Sequence, residues 1–188
     1  MGFYRTHNCG ELRKSDVGKK VKISGWIHNR RDHGGVLFID MRDHYGLTQA
    51  VVYPDAPFQY EVGHLPKETV VQFEGEVIAR TPENINPKMD TGEVEVKASA
   101  YEVLGTCQAL PFSVFPEDSQ PEDQRLRYRF LDLRKSKLHQ NIILRSKVIS
   151  SLRRRMTELG FNEFQTPILT SSSPEGARDY LVPSRVHP

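Results

Sequence analysis

The sequence of 188 residues lacks the features that direct a protein to a membrane or a metal ion. No apolar run approaches the roughly 20 residues of a membrane-spanning helix. No charged-then-apolar leader precedes the first predicted strand, so we expect a cytoplasmic protein without a membrane partner. The only two cysteines, Cys9 and Cys107, fit neither a metal-binding nor a redox spacing. We therefore expect a reducing compartment and no metal site.

A strong charge of one sign is also missing, because the formal net charge is only +2. Residues 1–106 hold 13 Lys and Arg against 15 Asp and Glu, whereas residues 107–188 hold 13 against 9. Generic nucleic-acid binders draw their affinity from many phosphate contacts and the release of counterions. If the first part binds RNA, it must therefore do so through a few placed groups, while the second part carries most of the positive charge.

The stretch Gly25–Val52 joins three short apolar runs through loops that carry charged residues and a glycine pair. In the second run two sets of residues alternate, namely Leu37, Ile39 and Met41 against Phe38, Asp40 and Arg42. If the first set faces a core, Phe38 is displayed among polar neighbours, as the binding of single-stranded nucleic acid requires. A ring packed beneath a loop is the alternative, and the pattern alone leaves both open.

Five strands are predicted in the first part of the chain, with a short helix before them and a short irregular or helical connector over 54–67. They begin with Val21, Ile23 and Ile27 and a bend at Gly25, continue over Val36–Arg42, Leu47–Tyr53 and Glu68–Arg80, and end with Val94, Val96, Ala98 and Ala100 facing inward. This layout is typical of an OB-fold, an all-β five-stranded Greek-key barrel that presents its second and third strands to oligonucleotides. Several other small barrels would give a similar pattern.

The second part begins with a proline-rich linker and an arginine-rich segment, Arg125–Arg134, whose apolar residues indicate that it is docked. Ser136 is predicted to cap a helix that has one apolar face and closes at Gly160. Phe161–Leu169 then reads as a strand, and Pro167 within it indicates a sheet edge or an interface. A polar loop follows.

Several motifs together resemble those of bacterial-type aspartyl-tRNA synthetases over essentially the whole chain. They are Arg5-Thr-His-Asn-Cys, Gly25-Trp, Arg31-Asp-His-Gly-Gly, Phe38-Ile-Asp, the segment Arg125–Arg134, Gly160-Phe, Thr166-Pro-Ile-Leu and Pro174-Glu-Gly-Ala-Arg-Asp-Tyr-Leu-Val-Pro. The resemblance implies an OB-fold anticodon-binding domain over 1–106, a hinge over 107–134 and the start of an α+β class II catalytic domain over 135–188. It also implies a homodimer whose interface contains the helix and the Phe161–Leu169 strand.

The resemblance further implies how individual residues act. Phe38 would stack on an anticodon base, and the residues that contact anticodon bases would be Arg31, Gln49, Asn84 and Glu95. The strand alternation independently places Glu95 outward, where a carboxylate can accept from a base, but it leaves the exposure of Gln49 open. Glu175 matches a flexible-loop glutamate that meets the ammonium group of bound L-aspartate, with a solvated loop residue as the alternative.

Two departures from the family pattern bear on function. The sequence ends at Pro188, without the second and third class II motifs, whose arginines hold ATP. The whole enzyme would use ATP and Mg²⁺ to activate L-aspartate and charge tRNA(Asp), and we expect this chain, as its N-terminal part, to catalyse neither step and to bind no cofactor. His33 and Glu83 stand where strictly aspartate-specific members tend to carry Leu and Lys. They predict a relaxed type that also charges tRNA(Asn).

Two other classes of protein remain as alternatives. A stand-alone OB-fold RNA-binding module with a helical dimerisation tail would explain the barrel and the basic second part. It would not explain the motifs that begin at Thr166 and Pro174. A sugar-binding or protein-binding barrel would suit the acidic first part, and a lack of any affinity for tRNA would favour it.

Overall fold

The computed structural model describes residues 3–115, 120–169, 171 and 180–186. The chain divides into two compact units, Met1–Gln120 and Pro121–Pro188. This division falls within the segment 107–134 that the sequence assigns to a hinge.

The first unit is a closed barrel of five strands in the order β1-β2-β3-β5-β4. The strands are β1 (Lys20–His33), β2 (Val36–Arg42), β3 (Leu47–Val52), β4 (Val70–Ala79) and β5 (Val94–Gly105). Neighbouring strands are antiparallel, except that β3 and β5 pair in parallel. The helix α1 (Gln59–His64) connects β3 with β4, so the predicted five-stranded barrel and its helical connector are confirmed. The helix predicted near the start of the chain is only the 3-10 turn Lys14–Asp16.

The core of the barrel follows the alternation of each strand. Leu37, Ile39 and Met41 of β2 are at most 3% exposed and belong to one apolar cluster with residues of the other four strands. Because successive side chains of a strand point to opposite faces, Phe38 lies on the other side of the sheet. The predicted orientation of β2 is therefore confirmed.

The alternation predicted for β5 is wrong at its end, because Ala100 is exposed. The register of β5 against β4 shifts by one residue after Ala98, and Ser99 is the extra residue of a bulge. A bulge moves every later side chain to the opposite face, so that Tyr101 instead packs against the core, 6.4 Å from the Phe73 ring. In β1 the irregularity likewise lies next to Ile27 and not at the predicted bend at Gly25.

The first residues of the predicted hinge pack on the barrel. Phe112 and Val114 are buried, and the Phe115 ring lies 4.5 Å from the His28 ring. The Arg42 guanidinium lies 4.8 Å from the centre of the same Phe115 ring. Apolar and cation–π contacts therefore join this part of the chain to the first unit.

The second unit contains three helices among its described residues, α2 (Glu122–Arg127), α3 (Arg129–Asp132) and α4 (Ser136–Glu158). The fully buried Asp132 carboxylate accepts from Arg125 Nε at 3.2 Å and from Arg129 Nη1 at 2.5 Å. The arginine-rich segment is thus arranged around its own buried anion. Of the apolar residues that indicated docking, Leu131 is buried, whereas Leu126 and Phe130 are more than 60% exposed. The N-cap of α4 is Lys135 and not the predicted Ser136, which already has helical geometry.

The helix α4 ends as predicted, and Gly160 then adopts a φ of 88°. Phe161–Leu169, in contrast, has no strand partner among the described residues, and its side chains are exposed. A strand exists only through hydrogen bonds to a neighbour, and no other strand is present in the described part of this unit. The strand predicted there is therefore not formed by this chain.

Candidate nucleic-acid interface

A pocket of about 460 Å³ lies on the outside of the barrel, where the ends of several strands meet. Each of the five strands contributes at least one side chain to its lining. The lining residues are Arg31, His33, Val36, Phe38, Gln49, Val51, Tyr53, Ile78, Ala79, Arg80, Thr81, Asn84 and Glu95. The pocket thus brings together Phe38 and all four residues expected to contact bases.

Phe38 provides an aromatic surface in this pocket and not in the barrel core. It stands opposite Arg31 of β1 and Val51 of β3, and both of these residues also line the pocket. Its ring is half-buried and lies 6.1 Å from the His33 ring at an angle of 70°. A flat ring with the polar residues Arg31 and His33 on one side and the apolar Val51 on the other is an arrangement on which a nucleobase can stack.

A chain of hydrogen bonds crosses the pocket. Arg31 Nη2 donates to Asp40 Oδ1 at 3.1 Å and to Gln49 Oε1 at 3.0 Å. Gln49 Nε2 in turn donates to Glu95 Oε2 at 2.8 Å. Both ends of the Gln49 amide are thus hydrogen-bonded. The exposure of Gln49, which the sequence left open, is only 4%.

Glu95 and Arg80 form the far wall of the pocket. Arg80 Nε lies 3.6 Å from Glu95 Oε2 and donates to the backbone oxygen of Val94 at 3.1 Å. Burial raises the pKa of Glu95, although Arg80 and the Gln49 hydrogen bond oppose this shift, and burial lowers the pKa of Arg80. One terminal nitrogen of Arg80 is buried and has no hydrogen-bond partner among the described residues. The wall thus combines a carboxylate acceptor with a guanidinium donor that has spare capacity.

Arg80 and Tyr53 are a cation and an aromatic residue of the pocket that the sequence analysis did not single out. Arg80 is the last residue of the predicted fourth strand, and a cation at the end of a strand is the sequence feature that could have identified it. In the structure it lies beside the outward-facing carboxylate of Glu95. Tyr53 follows β3 directly, where an aromatic residue looks like ordinary strand composition.

The remaining predicted residues take different positions. Asn84 lies in the 3-10 turn Pro82–Asn84, lines the pocket and donates from its amide to Thr81 Oγ1 at 2.9 Å. His33 lies at the rim beside Phe38, whereas Glu83 is exposed in the turn and does not line the pocket. Glu175 lies outside the described residues.

Within the described ranges, no group of three or more His, Cys, Asp or Glu side chains is arranged to hold a metal ion. None of the helices in that part of the chain is long and apolar enough to cross a membrane.

Comparison with known families gives two matches that follow one another along the chain. Residues 21–104 match the OB-fold nucleic acid binding domain. Residues 121–188 match the class II tRNA synthetases for D, K and N. The first match covers the barrel with its pocket, and the second covers the described helices of the second unit.

Curated relatives match over the whole chain. An aspartate–tRNA(Asp/Asn) ligase of Phenylobacterium zucineum is 60% identical over all of this chain and 32% of its own length. An aspartate–tRNA ligase of Streptomyces avermitilis is 56% identical, again over all of this chain and 32% of its own length. The chain thus spans about one third of the curated relatives that it matches.

The solved structures agree with the fold. The asparaginyl-tRNA synthetase of Pyrococcus horikoshii complexed with asparaginyl-adenylate has a TM-score of 0.77 at 27% identity, covering 90% of this chain and 38% of that one. An aspartyl-tRNA synthetase of Entamoeba histolytica has a TM-score of 0.78 at 20% identity, covering 89% and 40% of the two chains. Together with the curated relatives, these matches assign the barrel to the N-terminal anticodon-binding part of such enzymes. Over its whole length, the chain therefore matches the N-terminal third of aspartate–tRNA ligases, and its second part also matches the class II tRNA synthetases for D, K and N.

Proposed function

We propose that this chain reads the anticodon of tRNA(Asp) and tRNA(Asn) through the pocket on the outside of its barrel. The observation that carries the proposal is the meeting of an aromatic ring with hydrogen-bonding groups of both signs in one pocket. Phe38 provides the ring, Glu95 provides an acceptor, and Arg31 and Asn84 provide donors. Bases of single-stranded RNA are recognised by this combination of stacking and edge contacts.

Each group has a definite task in such a complex. A base stacked on Phe38 contributes roughly 1–3 kcal/mol without distinguishing the four bases. Selectivity then comes from hydrogen bonds to the edge of the base. The Glu95 carboxylate accepts from amino or imino groups of the base, and the Asn84 amide and the Arg31 guanidinium donate to its acceptors. Gln49 binds both Arg31 and Glu95, so these groups are held in place before RNA arrives.

We also propose the relaxed type of specificity, in which both tRNAs are accepted. The two anticodons differ at one base, and His33 stands at the rim of the pocket against the edge of Phe38. Glu83 precedes Asn84 in the turn beside the pocket and is exposed. Sequence identity does not decide the matter, because relatives of both names lie between 56% and 60%.

The activity proposed for the whole protein is aspartate–tRNA ligation in the cytoplasm. It would activate L-aspartate with ATP and Mg²⁺ and transfer the aspartyl group to tRNA, with Glu175 pairing with the ammonium group of the amino acid.

A homodimer is proposed for the whole protein as well. The helix α4 exposes the apolar side chains Ile142, Leu152 and Met156 to between 44% and 59%. Large exposed apolar residues on one element are typical of an interaction surface. A second copy of the same helix would cover them.

Binding of the chain to anticodon stem-loops of tRNA(Asp) and tRNA(Asn) tests the anticodon proposal. We expect micromolar affinity for both, lowered by roughly 5- to 150-fold in Phe38→Ala, which corresponds to the stacking free energy of one base. Tyr45→Ala is the matched control, because Tyr45 is an exposed aromatic residue of the same barrel that does not line the pocket. Binding to neither stem-loop, or equal losses in both variants, would reject the proposal, and strong preference for tRNA(Asp) would reject the relaxed type.

A further inference from the structure

We infer that Lys97 binds a phosphodiester group of the RNA next to the base pocket, so that the interface extends beyond Phe38 along one direction of the barrel. The inference rests on the proposed function, because it concerns the RNA whose base stacks on Phe38. It adds a contact with the RNA backbone to the base contacts already proposed. Residues 1–106 have no excess of positive charge, with 13 Lys and Arg against 15 Asp and Glu, so a single well-placed cation matters there.

The strand register places Lys97 in one row with Phe38. Phe38 of β2 stands opposite Val51 of β3, and Val51 stands opposite Lys97 of β5. Directly paired residues point to the same face of a sheet, and neighbouring strands are about 4.8 Å apart. Lys97 therefore lies about 10 Å from Phe38 on the same outer face, across two strand spacings.

The Lys97 ammonium is held at the edge of the base pocket by an aromatic ring. Its Nζ lies 5.2 Å from the centre of the Tyr53 ring, and Tyr53 lines the pocket. Lys97 itself is exposed and forms no ion pair with any described residue. A cation–π contact orients an ammonium without neutralising its charge, so Lys97 remains free to attract a phosphate.

Lys97 also lines a second groove of about 490 Å³. This groove contains the lysines Lys20 and Lys22, but it is not uniformly basic. Lys22 Nζ pairs with Glu74 Oε1 at 2.5 Å, and Glu76 stands between Lys97 and Lys20 in the row of paired residues. The Glu76 carboxylate is paired with both Lys97 and Lys20 and repels a phosphate at either one, so Lys97 is favoured because its ammonium lies against Tyr53 at the edge of the base pocket.

The size of the RNA site supports a contact at this position. OB-folds bind about 4–16 nucleotides of single strand, with a positively charged groove that follows the backbone. An RNA that places one base on Phe38 must therefore run across neighbouring strands in at least one direction. Lys97 is the cation that the register places beside the pocket in the direction of β5.

The salt dependence of stem-loop binding tests the inference on the full chain. Each phosphate contact with single-stranded nucleic acid contributes about 0.7 to the slope of log Kd against log salt concentration. We expect Lys97→Met to lower that slope by about this amount and to weaken binding severalfold at low salt, equally for both stem-loops. Lys97→Arg should retain the slope, and Glu76→Gln should strengthen binding because it removes a repelling carboxylate. Lys20→Met, which removes a lysine of the same groove, should leave the slope unchanged.

The outcomes separate this inference from the proposed function. If the wild-type chain binds in a Phe38-dependent way but Lys97→Met keeps the wild-type slope, the inference is wrong and the anticodon proposal stands. Equal changes of slope in Lys97→Met and Lys20→Met would also overturn it, because they would indicate a diffuse field instead of one contact. Absence of Phe38-dependent binding by the wild-type chain would reject both.

Discussion

The side-chain amide of Gln49 donates to the Glu95 carboxylate at 2.8 Å, although the two residues are 46 positions apart in the sequence. The other end of the same amide accepts from Arg31 at 3.0 Å. One buried side chain on β3 thus ties together a donor on β1 and an acceptor on β5. The groups that would meet a base edge are consequently ordered within the protein itself, and binding need not order them.

Gln49→Glu should destabilise the barrel near neutral pH. The new carboxylate would face Glu95 without a donor between them, and the raised pKa of Glu95 already reflects the cost of a charge at this buried place. We expect the free energy of unfolding to fall by roughly 1–3 kcal/mol at pH 7.5 and to recover partly at pH 5, where the pair can hold a proton. Urea unfolding at both pH values measures this, with Gln108→Glu at an exposed position as the control. The same pH response in both variants would contradict it.

The environment of His28 predicts a loss of stability on acidification. Burial, followed by the Arg42 charge, lowers the pKa of His28 below its ordinary value of 6.5, although the carboxylates of Asp40 and Glu68 act in the opposite direction. Since the folded barrel favours the neutral ring, this contribution is complete above about pH 6.5 and is lost as the pH falls through the folded pKa.

Urea unfolding between pH 7.5 and pH 5 therefore distinguishes His28 from other histidines. His28→Gln keeps an acceptor for the Arg42 Nη1 atom, which lies 3.0 Å from the His28 Nδ1 atom. We expect this variant to lose less unfolding free energy on acidification than the wild type. His44→Gln, at an exposed position, should behave as the wild type does. An unchanged pH dependence in His28→Gln would show that the ring does not titrate as inferred.

Gly75→Ala should strongly destabilise the barrel, whereas Gly63→Ala should not. A Cβ atom on Gly75 would lie 2.1 Å from the backbone oxygen of Lys97, and a backbone atom of the neighbouring strand cannot move aside easily. The expected decrease in unfolding free energy is about 1–3 kcal/mol or more. Gly63 lies in α1, where the nearest atom to a Cβ is a terminal carbon of Leu37 at 3.4 Å. Alanine favours a helix there by roughly 0.5–1 kcal/mol, so equal thermal shifts in the two variants would be inconsistent with this geometry.

Asp132→Asn should loosen the second unit without affecting the barrel. The variant keeps the shape of the side chain but removes the anion around which Arg125 and Arg129 are arranged. Both arginines are more than a third exposed, so we expect a loss of only about 1–2 kcal/mol. Hydrogen exchange at the amides of α3 and the start of α4 should accelerate, while exchange in β2 should not. Asp123→Asn, an exposed acid of α2, is the control, and faster exchange there as well would argue against a special role of Asp132.

The alternation of apolar and polar residues along the sequence correctly predicted the strand β2 and the orientation of its side chains. The bounds of Val36–Arg42 and the opposite orientations of Leu37 and Phe38 follow from a two-residue period, which a strand keeps whatever its partner is. The resemblance to a known family added the residues expected to contact bases, and the structure brings them into one pocket.

The features that were missed depend on partners distant in sequence. The bulge at Ser99 exists only relative to β4, so the inward position predicted for Ala100 could not be corrected from β5 alone. The sequence pattern assigns Phe115 to a linker, because its contacts with His28 and Arg42 come from strands more than 70 residues earlier. Phe161–Leu169 has the composition of a strand but no neighbouring strand among the described residues.

The parallel seam between β3 and β5 has a consequence for synthesis on the ribosome. Ala50 pairs with Val96 and Val51 with Lys97, and the base pocket lies across this seam. Pairing β3 with β5 closes a loop that contains α1 and all of β4. Closing a long loop carries an entropic penalty that local hairpins such as β2–β3 avoid. A nascent chain that has emerged only as far as β4 therefore displays Phe38 and Gln49 on an unfinished sheet with no Glu95 beside them. On the proposed function, recognition of RNA would become possible only after β5 has been translated and has closed the barrel.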